Sequence, residues 1–562
     1  MENKQVKESK FILGIMLASI IVSLPLFFKG IDVSFGQDAA FHLNRIEGLF
    51  LEMRNGSFPI KMESYWMDGY GYPVSIYYGD LFLYIPALLR LIGIPVVASY
   101  KIYVYIINLG TLLCGYIAFE KISNNNKIAL IATICYCFSY YRLVNVYIRG
   151  AVGEYTAMMF LPIVVLGIYK IYFCEHKAMK GACKDATILA IGISAIVGSH
   201  MLSCEMVGIV LFVFAVVSYK RTFTKNVFIT LLIAGVEVLL LNAYYIVSFC
   251  DYYCTQTVNI NNTMSNSREI QSAGASILKL LSFFEIPFGN TDWKSQIGLN
   301  IGVVLTITVV LFFFKIILGD KKRGDILLWS GTFLLLFMST NVFPWDYIRG
   351  IPLIGNILAQ IQFPWRYLGL ASLFATILLI KLLEELSCIK TLRIVSIIII
   401  VISVFMMVYF TNDYYKYSQR CNYKDTTDLD SYDMGFIEYL RVGTDRSLFD
   451  GQVVCDKGIY IKNIEKKGNE IVIDIECEKQ GKVSFPKVNY KGYKVYDDTH
   501  ELKIYDGVNN LVSVNVEKNY NGKLRLEYKQ MWYWIVAEWV SFLSLVVVLV
   551  IMIGEKRGGE RK

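Results

Sequence analysis

Asp38, His42 and Arg45 place an acid, a base and a cation within the ten-residue stretch Gly36-Gln-Asp-Ala-Ala-Phe-His-Leu-Asn-Arg45. These types suit a proton transfer beside a negatively charged group. If 38–50 is helical, Asp38 and His42 lie four residues apart and share a face, with Arg45 three further on the same side. Phe41, Ile46, Leu49 and Phe50 fall opposite them. The pattern predicts an amphipathic helix at a membrane interface, its polar face toward water and its apolar face toward lipid or protein. A plainer reading makes Asp38 an N-cap and leaves the other charges solvated.

Three further stretches carry chemistry. Arg149-Gly-Ala-Val-Gly-Glu154 is a glycine-rich turn before a helix, a setting that suits a phosphate. Its alternative is a tight reversal with Arg149 snorkelling to headgroups. Ser199-His200 sits at a reversal between two short apolar runs, and the chain has only four histidines. His42 and His200 could meet Asp38 and Glu154 in one cavity, as a proton relay or a divalent metal site. In Ile361-Gln-Phe-Pro-Trp-Arg-Tyr367, Pro364 interrupts the backbone, and Trp365 and Tyr367 suit an interface belt. Arg366 could there reach a lipid phosphate. The stretch from Tyr65 to Pro73 is rich in aromatics and glycine, and sugars or lipid headgroups stack on such rings.

The elements that must position these residues are mostly apolar. Of 562 residues, 55% are hydrophobic and 18% charged, too apolar for a soluble enzyme of this length. About twelve spans are expected, near 11–28, 97–119, 128–147, 156–173, 186–199, 205–219, 226–248, 297–318, 325–341, 366–384, 391–410 and 531–553. The first reads as a retained span, because no small-residue cleavage pattern follows it. Residues 81–94 contain Pro86 and Arg90 and read as an interfacial or re-entrant helix. Seven basic clusters, from Lys4, Lys7 and Lys10 to Arg561 and Lys562, fall on one side under this count. The positive-inside rule makes that side the cytoplasm, with both termini inside and the candidate residues outside.

Residues 411–530 change character, with short alternating runs such as Ile471–Ile475 and Leu511–Val516 separated by Gly or Asn. They predict a small extracytoplasmic β-domain, a sandwich, between a membrane domain over 1–410 and a last span with a basic tail over 531–562. The net charge of +8 comes from short clusters between apolar runs, which is no nucleic-acid signal. The twelve cysteines follow neither metal-ligand nor disulfide spacing. No nucleotide loop or dinucleotide fingerprint is present. No span shows a run of buried charges of the kind ion pathways use, with Glu237 as a single exception.

Taken together, the acidic first loop with its amphipathic helix resembles the GT-C class of membrane glycosyltransferases. Gly36–Arg45, Arg149–Glu154, Ser199-His200 and Gln362-Phe-Pro-Trp-Arg366 resemble, in their order and spacing, the bacterial "6-pyruvoyl-tetrahydropterin synthase-related membrane protein" group, similar to the YfhO-like proteins. Ser484-Phe-Pro-Lys-Val-Asn-Tyr-Lys-Gly-Tyr493 is similar to the C-terminal β-domain of YfhO-like proteins. The resemblance implies a GT-C-like polytopic helical fold. It also implies transfer of a sugar from a polyprenyl-phosphate donor to a cell-envelope glycan or polymer on the outer face, with inversion. Asp38 would be the base and His42 would orient it. Arg45, Arg149 and Arg366 would hold the donor phosphate, and Glu154 and His200 would line the cavity. No cofactor is certain, though a divalent metal is possible. A flippase for lipid-linked glycans and a non-catalytic envelope scaffold are the alternative readings.

Overall fold

In the computed structural model, the structure describes residues 2–32, 38–174, 179–260, 270–284, 298–319, 322–352, 355, 361–418, 420–421, 423 and 437–554. Gly36 and Gln37 of the first motif, His176 and parts of the 249–296 and 342–365 connections lie outside the described residues.

Each of the twelve apolar segments contains a helix. Five helices are individually long and apolar enough to cross a bilayer: Val96–Ser123, Val152–Phe173, Pro364–Glu384, Ile389–Tyr417 and Trp532–Met552. Two bent pairs, Asn126–Cys137 with Tyr140–Arg149 and Lys225–Leu241 with Ala243–Thr255, qualify only if each counts as one span. Others are short: Arg323–Met338 has 16 residues, about 24 Å of helix against the ~30 Å of a hydrocarbon core. The chain is therefore a multi-pass membrane protein, and helix length alone does not fix twelve crossings. Tyr84–Leu91 has eight residues, about 12 Å of helix, far too short to span.

The β-rich part holds two antiparallel sheets. One has the order β3 (Val454–Cys455), β6 (Gly481–Val488), β10 (Leu511–Val516), β9 (Tyr505–Asp506). The other runs β4 (Ile459–Lys467), β5 (Glu470–Cys477), β11 (Asn521–Tyr528), β7 (Tyr493–Tyr496), β8 (Glu501–Leu502). Alternation fills the space between them: Ile471, Ile473 and Ile475 face Val483, Phe485, Val512 and Val514, all buried. The chain changes sheet between Leu502, which pairs with Val495, and Tyr505, which pairs with Ser513. Two short strands, β1 (Ile31–Asp32) and β2 (Arg420–Cys421), pair the first loop with the chain beyond the Ile389–Tyr417 helix.

The core of this sandwich continues into the first loop. Phe41, Trp66, Tyr70, Tyr72, Tyr252 and Trp534 belong to the same buried cluster. Tyr70 stacks on Phe449 with ring centroids 3.8 Å apart, and its hydroxyl accepts the Asp450 and Gly451 amides. Asp251 accepts from Lys491, Tyr533 and Trp534, joining a bundle helix, the sandwich and the last helix.

This cover corrects the first expectation. The Ala39–Arg54 helix does not show a polar face to water: His42, Arg45, Glu47 and Glu52 are each about 1% exposed. Glu47 pairs with Arg90, and Glu52 accepts the Ser64 amide at 2.7 Å. The 57–80 loop folds over the polar face, so these charges are compensated inside the protein.

Candidate active site

The Ala39–Arg54 helix starts at Asp38, whose backbone is already helical (φ −82°, ψ −7°) and whose side chain makes no capping bond. The carboxylate is thus free of the capping role, and only the main chain is engaged. The Asp38 N–H donates to the Arg149 carbonyl at 2.8 Å. This contact needs Gly150, which has φ +63° and lies so close that a Cβ would stand 2.6 Å from the Ala39 Cβ.

Arg149 ends a π-helical turn, Val144–Arg149, a distortion frequent at functional sites. Its Nη1 donates to Asn145 Oδ1 at 2.7 Å and Glu154 Oε2 at 2.9 Å, and its Nη2 lies 3.6 Å from Asp38 Oδ2. Glu154 occupies the first turn of the Val152–Phe173 helix, where the dipole favours an anion. Its Oε1 accepts from Tyr141 at 2.5 Å and Asn145 at 3.0 Å, and its Oε2 lies 3.5 Å from Arg366 Nε. A buried carboxylate therefore joins two buried guanidiniums, each with further partners, which is what such charges need.

Arg366 closes the short Pro364–Arg366 turn. Its Nη1 donates to the Ile361 carbonyl at 2.9 Å and Gln362 Oε1 at 3.2 Å. Gln362 holds φ +62°, backbone strain beside Arg366. Trp365 and Tyr367 are not interface anchors as expected. Both are buried, with Tyr367 stacked on Trp345, because this turn packs into the bundle.

His200 caps the Met201–Val217 helix: Nδ1 accepts the Ser203 N–H at 3.2 Å, which leaves the ring proton on Nε2. Burial, then Arg366, pull its pKa down to about 3. His42 is likewise held well below the ordinary histidine range, by burial first and then by Arg45 and His200. Both rings are neutral near pH 7. Tyr78 lies between them, its ring 5.6 Å from His42 and 5.9 Å from His200. Gly153 admits this packing, since a Cβ there would meet the Tyr78 hydroxyl at 2.6 Å and the Ser199 carbonyl at 2.7 Å.

Six of the seven residues singled out in the sequence thus come together in one cluster: Asp38, His42, Arg149, Glu154, His200 and Arg366. Arg45 stands behind it, its Nη2 donating to the Tyr78 and Gly79 carbonyls at 3.0 Å each and its guanidinium 4.3 Å from the Tyr78 ring centroid. Among the described residues His42 makes no hydrogen bond to the Asp38 carboxylate, and its Nδ1 has no partner. Asp38 keeps 41% of its side chain accessible, although protein surrounds it. That surrounding raises its pKa, against the opposing pull of Arg149 and Arg366. Among the described residues no group of three or more His, Cys, Asp or Glu side chains could hold a metal ion. The residues present do not form such a set.

Sequence reasoning missed Tyr78, Tyr141, Asn145 and Glu205. Glu205 lies five residues beyond His200 within the field of Arg366, its Oε1 without a hydrogen-bond partner. Asn145 has a legible signal, four residues before Arg149 on one helix. Tyr78 has none, because the loop fold alone brings it there. The Tyr65–Pro73 aromatics, read as a stacking surface, instead mostly hold the sandwich in place: Trp66, Tyr70 and Tyr72 are buried.

No family model matches the chain. An uncharacterized protein of Lactococcus lactis subsp. cremoris (strain MG1363) is 19% identical over 363 residues, 61% of this chain. The match covers 56% of that relative, so the chain spans little more than half of its length. Among solved structures, the chain is similar to the arabinofuranosyltransferase AftD from Mycobacteria (TM-score 0.38, 11% identity, 72% of this chain and 26% of that one). It is also similar to the Archaeoglobus fulgidus oligosaccharyltransferase in the apo form (0.41, 11%, 73% and 56%). A third is ArnT from Cupriavidus metallidurans bound to undecaprenyl phosphate (0.39, 10%, 72% and 75%).

Proposed function

We propose that the protein is an inverting membrane glycosyltransferase of the GT-C type, moving a sugar from a polyprenyl-phosphate carrier to a hydroxyl of a cell-envelope glycan. The observation that carries this reading is the pairing of an accessible carboxylate with a shared cation site. Asp38 stands 3.6 Å from Arg149, and Arg149 shares Glu154 with Arg366.

In the proposed reaction Asp38 takes the proton of the acceptor hydroxyl. The freed oxygen attacks the sugar C1 from the face opposite the phosphate. The C1–O bond to the phosphate breaks, and its electron pair goes to the phosphate oxygen. Arg149 and Arg366 stabilise that charge, so the leaving group needs no acid. The proton leaves Asp38 to solvent. One base without a nucleophile inverts C1 in a single displacement.

Arg45 contributes from behind by fixing the Tyr78–Gly79 carbonyls and adding positive potential. His42 and His200, both neutral, offer ring nitrogens to the sugar. The seven basic clusters support an extracytoplasmic site with both termini in the cytoplasm. Membranes holding the full chain, given a radiolabelled polyprenyl-phosphate sugar and envelope glycan, test the reading. Asp38→Asn should abolish transfer at unchanged membrane insertion, and unchanged transfer would remove the base from the scheme.

A further inference from the structure

A recess lies at the far end of the helix that Asp38 begins. It is a cleft of about 320 Å³, open to solvent, between the C-terminal turn of the Ala39–Arg54 helix, residues 64–69 and the sandwich. We infer that this cleft binds the glycan chain of the acceptor, holding hydroxyl-rich sugar rings remote from the reacting end. Calling the glycan an acceptor rests on the transferase reading; the binding itself does not.

The floor of the cleft is fixed. Lys487, 3% exposed, donates from Nζ to the carbonyls of Gly69 at 2.7 Å, Gly468 at 3.2 Å and Ser64 at 3.3 Å. One buried ammonium thereby pins the 64–69 turn onto the sandwich. The lip of the cleft is strained: Met67 and Asp68 both have φ +57°, and Gly69 follows at +89°. Two successive non-glycine residues in the left-handed region persist only where surrounding structure imposes them, and such strain gathers at ligand clamps.

The walls present groups with capacity to spare. The Asn55 side-chain amide makes no hydrogen bond among the described residues, while its backbone N–H donates to the Leu51 carbonyl. Lys466 donates once, to the Gly451 carbonyl at 2.6 Å, and has two further N–H groups. Asp68 uses Oδ2 for Arg446 at 3.3 Å and keeps Oδ1. The Tyr65 ring adds an aromatic wall, its hydroxyl tied to Asn44.

This mixture selects the ligand class. Two lysines, Lys487 already satisfied, beside one carboxylate do not make an anion trap. An amide, a carboxylate and an ammonium facing the space, at Asn55, Asp68 and Lys466, are unsuited to a lipid tail. Donors and acceptors interleaved with an aromatic face fit a pyranose, whose hydroxyls need both and whose C–H face packs on rings. The placement fits an acceptor, since Asn55 lies 17 residues, about 25 Å of helix, from Asp38 and about a quarter of a turn round from the reacting face. The helix between them is buried, so a glycan several sugars long would pass over the 57–80 cover to bring its end to Asp38.

The test uses the full chain in lipid nanodiscs. The probe is a set of end-labelled oligosaccharides released by mild acid from the producing cell's own envelope polysaccharide, followed by fluorescence anisotropy. Wild type should bind saturably. Asn55→Trp, at an exposed position, should fill the cleft and abolish binding at an unchanged melting temperature. Asp68→Asn, which tolerates the left-handed backbone, should weaken binding about tenfold, the scale of one charge-assisted hydrogen bond. Asp38→Asn should bind as wild type. No saturable binding, or binding by Asn55→Trp within about twofold of wild type, overturns the cleft. Failure of the wild-type chain to transfer sugar from any polyprenyl-phosphate donor would overturn the transferase reading while leaving the cleft standing.

Discussion

Asp38 and Arg149 touch twice: the Asp38 N–H donates to the Arg149 carbonyl at 2.8 Å, and its carboxylate lies 3.6 Å from the Arg149 guanidinium. The main-chain bond fixes where the helix begins relative to the π-helical turn. The looser ion pair leaves the carboxylate able to reach a substrate. Position and reactivity are thereby set by different atoms of the same two residues.

Gly150 makes the first of those contacts possible, so Gly150→Ala should separate the two segments. A methyl 2.6 Å from the Ala39 Cβ cannot be accommodated, and the positive φ adds strain. Transfer should fall at least tenfold with a modest loss of melting temperature, measured on purified protein in detergent. Ala39→Gly in the same chain should restore part of it.

Glu154 holds two arginines, and removing its charge leaves both buried without their carboxylate. Glu154→Ala should cost about 3–5 kcal/mol, the scale of breaking a buried ion pair from one side. Glu154→Gln keeps the Tyr141 contact and should cost less. Thermal unfolding of both variants in the same detergent gives the order.

The pH–rate profile follows from three groups. Asp38 must be ionised to act, and its pKa is raised by burial, so the rate should climb with pH through a single acid limb centred above 3.8. His42 and His200 are held neutral well below pH 6.5, so neither should add a limb near neutrality. A histidine-like break near pH 6.5 that vanishes in His200→Asn would contradict this.

Glu63 gives a stability signature with the opposite pH sense. It accepts from Trp66 Nε1 at 2.7 Å and Ser75 Oγ at 2.8 Å, yet burial pushes its pKa up to about 8. The folded chain keeps this proton while the unfolded chain loses it near 4.5. The contribution is complete below about 4.5 and is lost as pH rises toward 8. Glu63→Gln should flatten that part of the melting-temperature profile.

Much of the site was legible because polar residues are scarce in this chain. Arg149, Glu154, His200 and Arg366 stand where apolar runs end, and each proves to be at a helix end or in a tight turn. The burial of the Ala39–Arg54 helix was not legible. Its pattern is that of an interfacial helix, and only the 57–80 loop and the sandwich, far away in sequence, convert a wet face into a buried one. The same cover explains Arg45, expected at a phosphate and found on two carbonyls. Spacing put His42 on the Asp38 face but could not say whether the side chains bond, and they do not. In the β-domain, alternation located the strands, but not the switch between Leu502 and Tyr505 that sends neighbours to different sheets.

The central claim is that Asp38 removes the acceptor proton. Its most direct test is single-turnover sugar transfer by wild type and Asp38→Asn, with donor binding measured separately on the same nanodiscs. The account predicts that Asp38→Asn binds polyprenyl-phosphate sugar within about threefold of wild type and transfers it at least 100-fold more slowly, the scale of losing a general base. Transfer at the wild-type rate with donor bound would contradict it.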